Sequence, residues 1–235
     1  MSRFGGVQSM EKPRTEVMNA FMRGVFSWMS LGLGLTAVVS YTIITSNALL
    51  TLALENMNAI FGLMIVELIM VFVLAGAAHK LAPAVAGGLF LLYSAMNGIT
   101  LTPILAMYTG ASVFQAFITT AGMFAVMAIY GLTTKKDLTS WGSFLFMGLI
   151  GIIIASVVNI FMQSSMMSFV ISGIGVVVFT GLTAYDVQRF QTMGMVMSGD
   201  ERAVKQATIS GALTLYLDFI NLFLMILRFM GASRD

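Results

Sequence analysis

The chain has 235 residues, of which 58% are hydrophobic and only 9% are charged. A soluble domain carries about 25% charged residues, so this composition excludes a soluble globular protein. At roughly 20 residues per crossing, the length allows about seven membrane spans. The net charge of +2 and the scattered basic residues exclude a nucleic acid as partner, and the lipid bilayer is the expected surrounding.

Metal and cofactor chemistry is restricted by the residue types that the chain lacks. It has no cysteine and one histidine, so disulfides, thiolate-bound metals and a zinc site with two imidazoles are excluded. The 21 methionines are spread through apolar runs, which is typical of gap-filling between helices rather than of a copper site. We therefore predict no bound cofactor.

Seven apolar runs follow one another along the chain, each long enough to cross a membrane. They cover residues 24–44, 59–78, 84–107, 113–132, 141–162, 167–189 and 207–230. These runs lack the strict alternation of barrel strands, and lipid offers an open backbone no hydrogen-bond partner, so each is predicted to be a helix. The predicted fold class is an all-α integral membrane protein with a single seven-helix domain over residues 24–231. A polar cytoplasmic tail at 1–23 precedes it and a short tail at 232–235 follows it.

Basic residues predict the orientation of these helices. Ten of the twelve Lys and Arg residues fall in segments that a cytoplasmic N-terminus places inside, whereas the loops predicted outside, 45–58, 108–112 and 163–166, contain none. This division indicates a cytoplasmic N-terminus and an odd number of spans. Arg228 and Arg234 are discordant because they would lie outside, which leaves open a last segment that is re-entrant rather than spanning.

Pairs of closely spaced glycines within the runs are expected to let helices approach one another. They are Gly32 with Gly34, Gly148 with Gly151, and Gly173 with Gly175. They lack the strand before and the helix after that mark a phosphate-binding loop, so they do not indicate a nucleotide site.

Carboxylates within the apolar runs are the first candidates for a functional site, because a charge at membrane depth is expensive. Three are present: Glu67, Asp186 and Asp218. Asp218 lies in the middle of the last run, with Asn221 one turn further along the same helical face. Asp186 lies near the cytoplasmic end of the sixth run, where an interfacial acid paired with Arg189 is an equally good interpretation.

The spacing of Asp186 and Asp218 suggests that the two side chains meet. Their midpoint in the sequence is residue 202, so an antiparallel hairpin that turns near Arg202 brings them to similar depth. Two carboxyl groups in contact at low dielectric do not both ionise cheaply, so they would share a proton and titrate as a pair. Once both are ionised, they repel each other and offer hard oxygen ligands suited to Ca²⁺. The sequence therefore predicts a pH-sensitive cation site.

Further ionisable residues lie on or beside the second run. Glu67 is about eight residues, or roughly 12 Å, from the outer end of this run. It either hydrogen-bonds Asn or Thr of a neighbouring helix or takes part in an ion path. Lys80, at the inner end, either extends to the lipid headgroups or reaches an ionised Asp186 or Asp218. We interpret the adjacent His79 as an interfacial residue, and a minor role in pH sensing stays open.

Three longer stretches form recognisable motifs. They are Gly181-Leu-Thr-Ala-Tyr-Asp186-Val-Gln, Gly211-Ala-Leu-Thr-Leu-Tyr-Leu-Asp218-Phe-Ile-Asn-Leu-Phe-Leu and Tyr93-Ser-Ala-Met-Asn-Gly-Ile-Thr-Leu-Thr-Pro103. These stretches resemble the Bax-inhibitor-1 family, also called the transmembrane Bax inhibitor motif family. The Lys135-Lys136-Asp137-Leu138 loop and the short N-terminal tail are similar to those of its bacterial inner-membrane members. The similarity extends from about residue 17 to residue 231.

The resemblance implies a multi-pass protein of the bacterial inner membrane in which the last helix is central and surrounded by the other six. It implies a pH-dependent Ca²⁺ leak channel, with Asp186 and Asp218 as the sensor pair and as transient Ca²⁺ ligands. In some members an arginine near the inner end of the second helix latches the pair in the closed state. Lys80 stands there in this chain, and a lysine cannot make the planar bidentate contact of an arginine.

Two other functional classes compete with the channel. Some bacterial members of the family associate with a membrane-anchored ATP-dependent protease, so a regulatory protein that binds other membrane proteins is the alternative. An enzyme is not predicted. Tyr185-Asp186 is similar to the first half of an intramembrane aspartyl protease site, but the second half requires Gly-x-Gly-Asp and the chain has Leu215-Tyr-Leu-Asp218.

Overall fold

The computed structural model describes residues 5–77, 80–197 and 201–231, and gives the backbone alone for residues 5–14. Within these residues the chain forms eight α-helices. They are α1 (Gly5–Thr45), α2 (Asn47–Glu55), α3 (Met57–Ala77), α4 (Pro83–Ala106), α5 (Gly110–Thr133), α6 (Thr139–Met162), α7 (Ser165–Val196) and α8 (Glu201–Met230). His79 and the tail predicted at 232–235 lie outside the described residues.

Seven of these helices are long and apolar enough to cross a membrane, which confirms the predicted fold class and number of spans. The eighth, α2, has nine residues and lies in the segment predicted as the first outer loop. Ser46 caps it by accepting a hydrogen bond from the backbone N–H of Leu49. A helix of this length cannot cross the hydrocarbon core, so it leaves the number of spans unchanged.

Three spanning helices extend several residues beyond the apolar runs that predict them. α1 begins at Gly5, within the segment predicted as a polar tail. α7 continues to Val196, past the predicted end at residue 189, and α8 begins at Glu201, before the predicted start at residue 207. Lys205 pairs with Glu201 one turn away at 2.6 Å, which stabilises this polar start of α8. Such polar ends escape a search for apolar runs.

α8 is the most buried of the seven spanning helices. In its apolar segment 72% of the residues are buried, against 11–50% in the other six. A helix that faces lipid leaves much of its surface exposed, whereas a helix enclosed by protein does not. The burial of α8 therefore agrees with the central position predicted for the last helix.

The chain packs as two compact units. The first comprises Met1–Pro103 and Phe190–Tyr216, and the second comprises Ile104–Arg189 and Leu217–Asp235. α4, α7 and α8 each contribute one part to the first unit and another to the second. Glu67 and Lys80 consequently belong to the first unit, whereas the two aspartates belong to the second.

Aromatic rings form the core of the first unit. Phe90 and Tyr216 are completely buried and meet edge to face, with ring centroids 5.7 Å apart. Trp28 packs on Phe90 and Tyr93 packs on Tyr216 in the same manner. α1 lies so close to α4 that a Cβ on Gly98 would come within 2.8 Å of a backbone carbonyl of α1. These contacts fix the rotation of α4 and of the first part of α8.

The second unit holds the aspartate-bearing parts of α7 and α8 through equally close contacts. A Cβ on Gly131 of α5 would lie 2.5 Å from the carbonyl oxygen of Ala184, two residues before Asp186. Phe219, which follows Asp218, packs edge-on against Phe117 and Phe124 of α5. α5 therefore supports both segments that carry the candidate site.

Candidate functional site

Asp186 on α7 and Asp218 on α8 form a buried carboxyl pair in the second unit. Their side chains are hydrogen-bonded to each other, and the two residues are only 6% and 5% exposed. A hydrogen bond between two carboxyl groups requires that one of them carries a proton. Oδ2 of Asp218 is completely buried and has no hydrogen-bond partner among the described residues, so its loss of hydration is uncompensated there. The pair thus combines a contact between two buried carboxyl groups with an unsatisfied acceptor.

The two carboxyl groups differ in their access to a cation. Nη1 of Arg189 lies 3.8 Å from Oδ1 of Asp186. The Arg189 side chain is 61% exposed, whereas that of Asp186 is 8% exposed. The described residues form two ion pairs, Asp186 with Arg189 and Glu201 with Lys205, and Asp218 takes part in neither of them. A negative charge on the pair is therefore best stabilised on Asp186. Both interpretations of Asp186 apply at once, because it pairs with Arg189 and also meets the second aspartate.

Gln188 fastens the loop between α5 and α6 to α7, two residues after Asp186. Its Oε1 accepts a 2.9 Å hydrogen bond from the backbone N–H of Leu138, and its Nε2 donates a 2.8 Å hydrogen bond to the carbonyl of Lys136. Any rotation of α7 at this level would break both hydrogen bonds. The sequence pattern did not predict this role. Its only signal was the position of Gln188 in the Asp186 motif, because the partners lie about fifty residues earlier.

The same loop is closed by its own hydrogen bonds. Asp137 accepts a 2.9 Å hydrogen bond from the backbone N–H of Thr139. Hydrogen bonds from the Thr139 side chain and backbone lower the pKa of Asp137, because they stabilise its ionised form. The loop consequently carries a constant negative charge beside the exposed side chains of Lys135 and Lys136.

Asn221 on α8 and Lys80 just after α3 are the two remaining candidates. Asn221 is half-buried and donates a 2.8 Å hydrogen bond from Nδ2 to the carbonyl of Leu217 on its own helix. Lys80 is exposed, and neither ion pair in the described part of the chain includes it. A role for Asn221 as an ion ligand and for Lys80 as a latch therefore stays a prediction.

Glu67 is buried in the first unit, where it meets two polar residues of α4. Oγ1 of Thr100 lies 3.0 Å from Oε1 and 3.2 Å from Oε2 of Glu67, and Nδ2 of Asn97 donates to Oε2 at 3.5 Å. The hydrogen bonds with Asn and Thr that the sequence allowed are thus present. Asn97 also accepts a 3.2 Å hydrogen bond from the hydroxyl of Tyr216 on α8.

The ligand chemistry of the aspartate pair fits a passing cation better than a stored one. Among the described residues no three acidic or histidine side chains lie close enough together to hold a metal ion. A resident Ca²⁺ takes about six to eight oxygen ligands, whereas two carboxylates supply about four at most. Any Ca²⁺ that binds here would complete its shell with water or backbone oxygens and would leave readily.

A model of the family described as "Inhibitor of apoptosis-promoting Bax1" matches residues 18–235 of the chain. The chain belongs to this Bax inhibitor-1 family. One relative is the "Inner membrane protein YbhL" of Escherichia coli (strain K12), which is 45% identical over the full length of both chains. An uncharacterized protein of Borreliella burgdorferi is 43% identical and covers 97% of this chain and 98% of its own.

A third relative of this Bax inhibitor-1 family protein comes from Streptococcus pyogenes serotype M6. This uncharacterized membrane protein is 41% identical over 92% of the chain and 94% of its own length. With the seven apolar helices, the relationship to an inner-membrane protein makes this chain a multi-pass inner-membrane protein. The names of the Escherichia coli and Streptococcus pyogenes relatives state a membrane location, and none of the three names states a catalytic activity.

Proposed function

We propose that this Bax inhibitor-1 family protein is a pH-sensitive Ca²⁺ leak channel, and that the Asp186–Asp218 pair is its gate. The observation that supports the proposal most directly is the buried hydrogen bond between the two carboxyl groups. Hydrophobic helices hold this pair, and one oxygen of Asp218 has no partner. A buried acid with an unpaired oxygen is costly. A purely structural contact between helices would give each oxygen a hydrogen-bond donor, or it would contain no acid at all.

The closed form holds one proton on the pair and one negative charge, which Arg189 stabilises on Asp186. When the pH rises, the shared proton leaves and two carboxylates stand in contact at low dielectric. Their repulsion destabilises the contact between these parts of α7 and α8. Because the closed form binds more protons than the open form, low pH favours the closed form and rising pH favours the open form.

Ca²⁺ is the cargo in this proposal and not a resident cofactor. The separated carboxylates present hard oxygen atoms, which suit Ca²⁺ better than a softer metal. Two carboxylates bind it only briefly, and brief binding is what conduction requires, since a tight site would block the path.

Ca²⁺ flux into liposomes tests the proposal directly. Wild type, Asp186→Asn, Asp218→Asn and the double variant would be compared between about pH 5 and 8, where a shared carboxyl proton would leave. We expect each single variant to flatten the pH response and the double variant to add little, because either change already removes the like-charge repulsion. Asp137→Asn is the matched control, since it removes an exposed carboxylate of the same unit and should leave the response intact.

Two results would count against this gate. Independent, additive effects of the two single substitutions would show that the aspartates do not titrate as a unit. No Ca²⁺ flux at any pH in wild type would favour the alternative, a regulatory protein that binds other membrane proteins such as a membrane-anchored ATP-dependent protease. Binding alone predicts no pH-dependent flux.

Lys80 is the candidate latch of the closed state, and its test is a comparison of two substitutions. Lys80→Arg should reduce the leak, because arginine can make a bidentate contact with a carboxylate. Lys80→Ala should increase the leak. Equal flux in wild type and both variants would show that Lys80 only extends to the lipid headgroups.

A further inference from the structure

Glu67 is the single acidic residue on the packing face of α3. The buried residues of this helix are Ile60, Glu67 and Leu74, spaced seven apart along one line. Its chain neighbours Val66 and Leu68 are exposed, as expected for a helix that faces lipid. The carboxyl group therefore points into the protein at the middle of an otherwise apolar contact.

Two polar groups of α4 surround this carboxyl group. Nδ2 of Asn97 donates to Oε2 of Glu67 at 3.5 Å, and the Thr100 hydroxyl lies 3.0 and 3.2 Å from the two oxygens. Oγ1 of Thr100 is also 3.1 Å from the backbone carbonyl of Asn97. The hydroxyl proton of Thr100 consequently has two acceptors within reach.

Because the Thr100 hydroxyl has two acceptors within reach, the site can hold Glu67 in either its ionised or its protonated form. When Glu67 is ionised, the Thr100 hydroxyl donates to the carboxylate, as Asn97 does. When Glu67 is protonated, its own O–H donates to Thr100, and the Thr100 hydroxyl turns to donate to the Asn97 carbonyl. Each group keeps its hydrogen bonds in both states, and the change requires only the rotation of one hydroxyl.

The charges around Glu67 decide which ligand the site takes. The titratable groups that face Glu67 are the phenols of Tyr93 on α4 and Tyr216 on α8. The ion pairs among the described residues involve other acids, Asp186 and Glu201. A buried carboxylate without a cationic partner is costly, and a proton is the smallest ligand that removes the charge.

We infer that Glu67, Thr100 and Asn97 form a second proton-binding site within the membrane, separate from the aspartate pair. Its ligand is a proton that exchanges with the medium. Asn97 holds Glu67 through its amide N–H and holds Tyr216 through its carbonyl oxygen, so a change of charge on Glu67 is felt directly at α8.

Dicyclohexylcarbodiimide, a lipid-soluble reagent for protonated carboxyl groups, tests this inference. The acid proton is transferred to a reagent nitrogen, the carboxylate oxygen bonds to the central carbon, and an acyl shift leaves a stable N-acylurea. Mass spectrometry of the purified, reconstituted full chain then locates the modified residue. We expect labelling of Glu67 at low pH that disappears along a single titration curve as the pH rises, and no labelling at this position in Glu67→Gln.

Thr100→Val separates a built proton site from an accidental buried acid. This variant loses the hydroxyl that donates to the ionised carboxylate, so labelling should persist to higher pH, by about one pH unit. Thr102→Val is the matched control. Thr102 is equally buried on the same helix, but its hydroxyl donates to the carbonyl of Gly98 and not to Glu67.

Three outcomes would overturn the inference. They are absence of labelling at Glu67, labelling that does not change with pH, and protection of Glu67 by Ca²⁺ at constant pH, which would assign the site to a metal ion. The assay does not depend on the proposed channel. Labelling of Glu67 should be the same in the Asp186→Asn, Asp218→Asn double variant, whatever that variant does to Ca²⁺ flux.

Discussion

Tyr216 satisfies two buried polar groups of the first unit at once. Its hydroxyl donates to Oδ1 of Asn97 at 3.2 Å and lies 2.7 Å from Oγ1 of Thr36. The Thr36 hydroxyl in turn donates a 2.8 Å hydrogen bond to the backbone carbonyl of Ser94. A single phenol thus joins α1, α4 and α8 at a level where water has no access.

Loss of this phenol should be costly. We expect Tyr216→Phe to lower the free energy of unfolding by about 1–3 kcal/mol, because it leaves the buried Asn97 carbonyl without its donor. Thermal unfolding of the purified protein in detergent measures the change. Tyr93→Phe is the control, since Tyr93 packs on the same ring but its hydroxyl makes no hydrogen bond to the described residues. An equal loss in both variants would contradict this account.

Among the helices of the second unit, α5 and α7 pack backbone against backbone at Gly131 and Ala184, beside the aspartate pair. The only space for a side chain at Gly131 is occupied by the backbone of Ala184, which cannot move without displacing α7. Gly122 on the same helix faces open space, with nothing within 4 Å of an added Cβ. The two glycines therefore offer a matched pair of positions.

The same substitution should have opposite effects at these positions. Gly131→Ala should destabilise the protein by about 1–3 kcal/mol through overpacking. Gly122→Ala should stabilise it by up to about 1 kcal/mol, because alanine favours a helix more than glycine does. Thermal unfolding of the two variants in one detergent measures both. Equal effects would show that α7 yields to the added methyl group.

In each of the three glycine pairs expected to bring helices together, one member makes the close contact with a neighbouring side chain. An added Cβ would meet a neighbouring side chain at 3.0 Å or less at Gly32, Gly148 and Gly175. Gly34 and Gly151 face open space, and Gly173 has only a distant contact. Gly32 with Gly34 and Gly173 with Gly175 are two residues apart and point to nearly opposite sides of their helices, so both members cannot face the same neighbour, whereas Gly148 and Gly151 are three apart and share a face.

For the molecule as a whole, the distribution of charge determines the orientation in the membrane. The two discordant cations include Arg228, which lies in the last turn of α8, where a positive charge is stabilised by the helix dipole. The predicted orientation places Arg228 on the side that otherwise lacks basic residues, and the helix dipole gives a local reason for a cation there. The uninterrupted helix from Glu201 to Met230 is also long enough to span, unlike a re-entrant segment.

Reporter fusions test the orientation. A reporter after Thr134, between α5 and α6, should be cytoplasmic, and one after Ser164, between α6 and α7, should lie outside. A reporter after Asp235 decides between a spanning and a re-entrant last segment, and it should lie outside if α8 spans, as its length allows. The reverse location at Thr134 or Ser164 would reject the orientation, and a cytoplasmic reporter at Asp235 would make the last segment re-entrant.

Several properties of this protein follow from the sequence without the structure. A composition so rich in apolar residues requires a bilayer, and the lengths of the runs define seven spans. The spacing of Asp186 and Asp218 predicted that they meet, because a hairpin of two helices brings equally distant positions to one depth. α7 ends at Val196 and α8 begins at Glu201, next to the predicted Arg202.

The tertiary structure alone decided the partners of the polar residues. Glu67 meets Thr100, Gln188 holds the loop before α6, and Tyr216 joins three helices, and each of these contacts links residues far apart in the chain. The sequence could not predict them, because a membrane span is apolar on all sides and its pattern does not mark the face that packs against protein. The rotation of each helix about its axis is set only when its glycines and polar side chains find their neighbours.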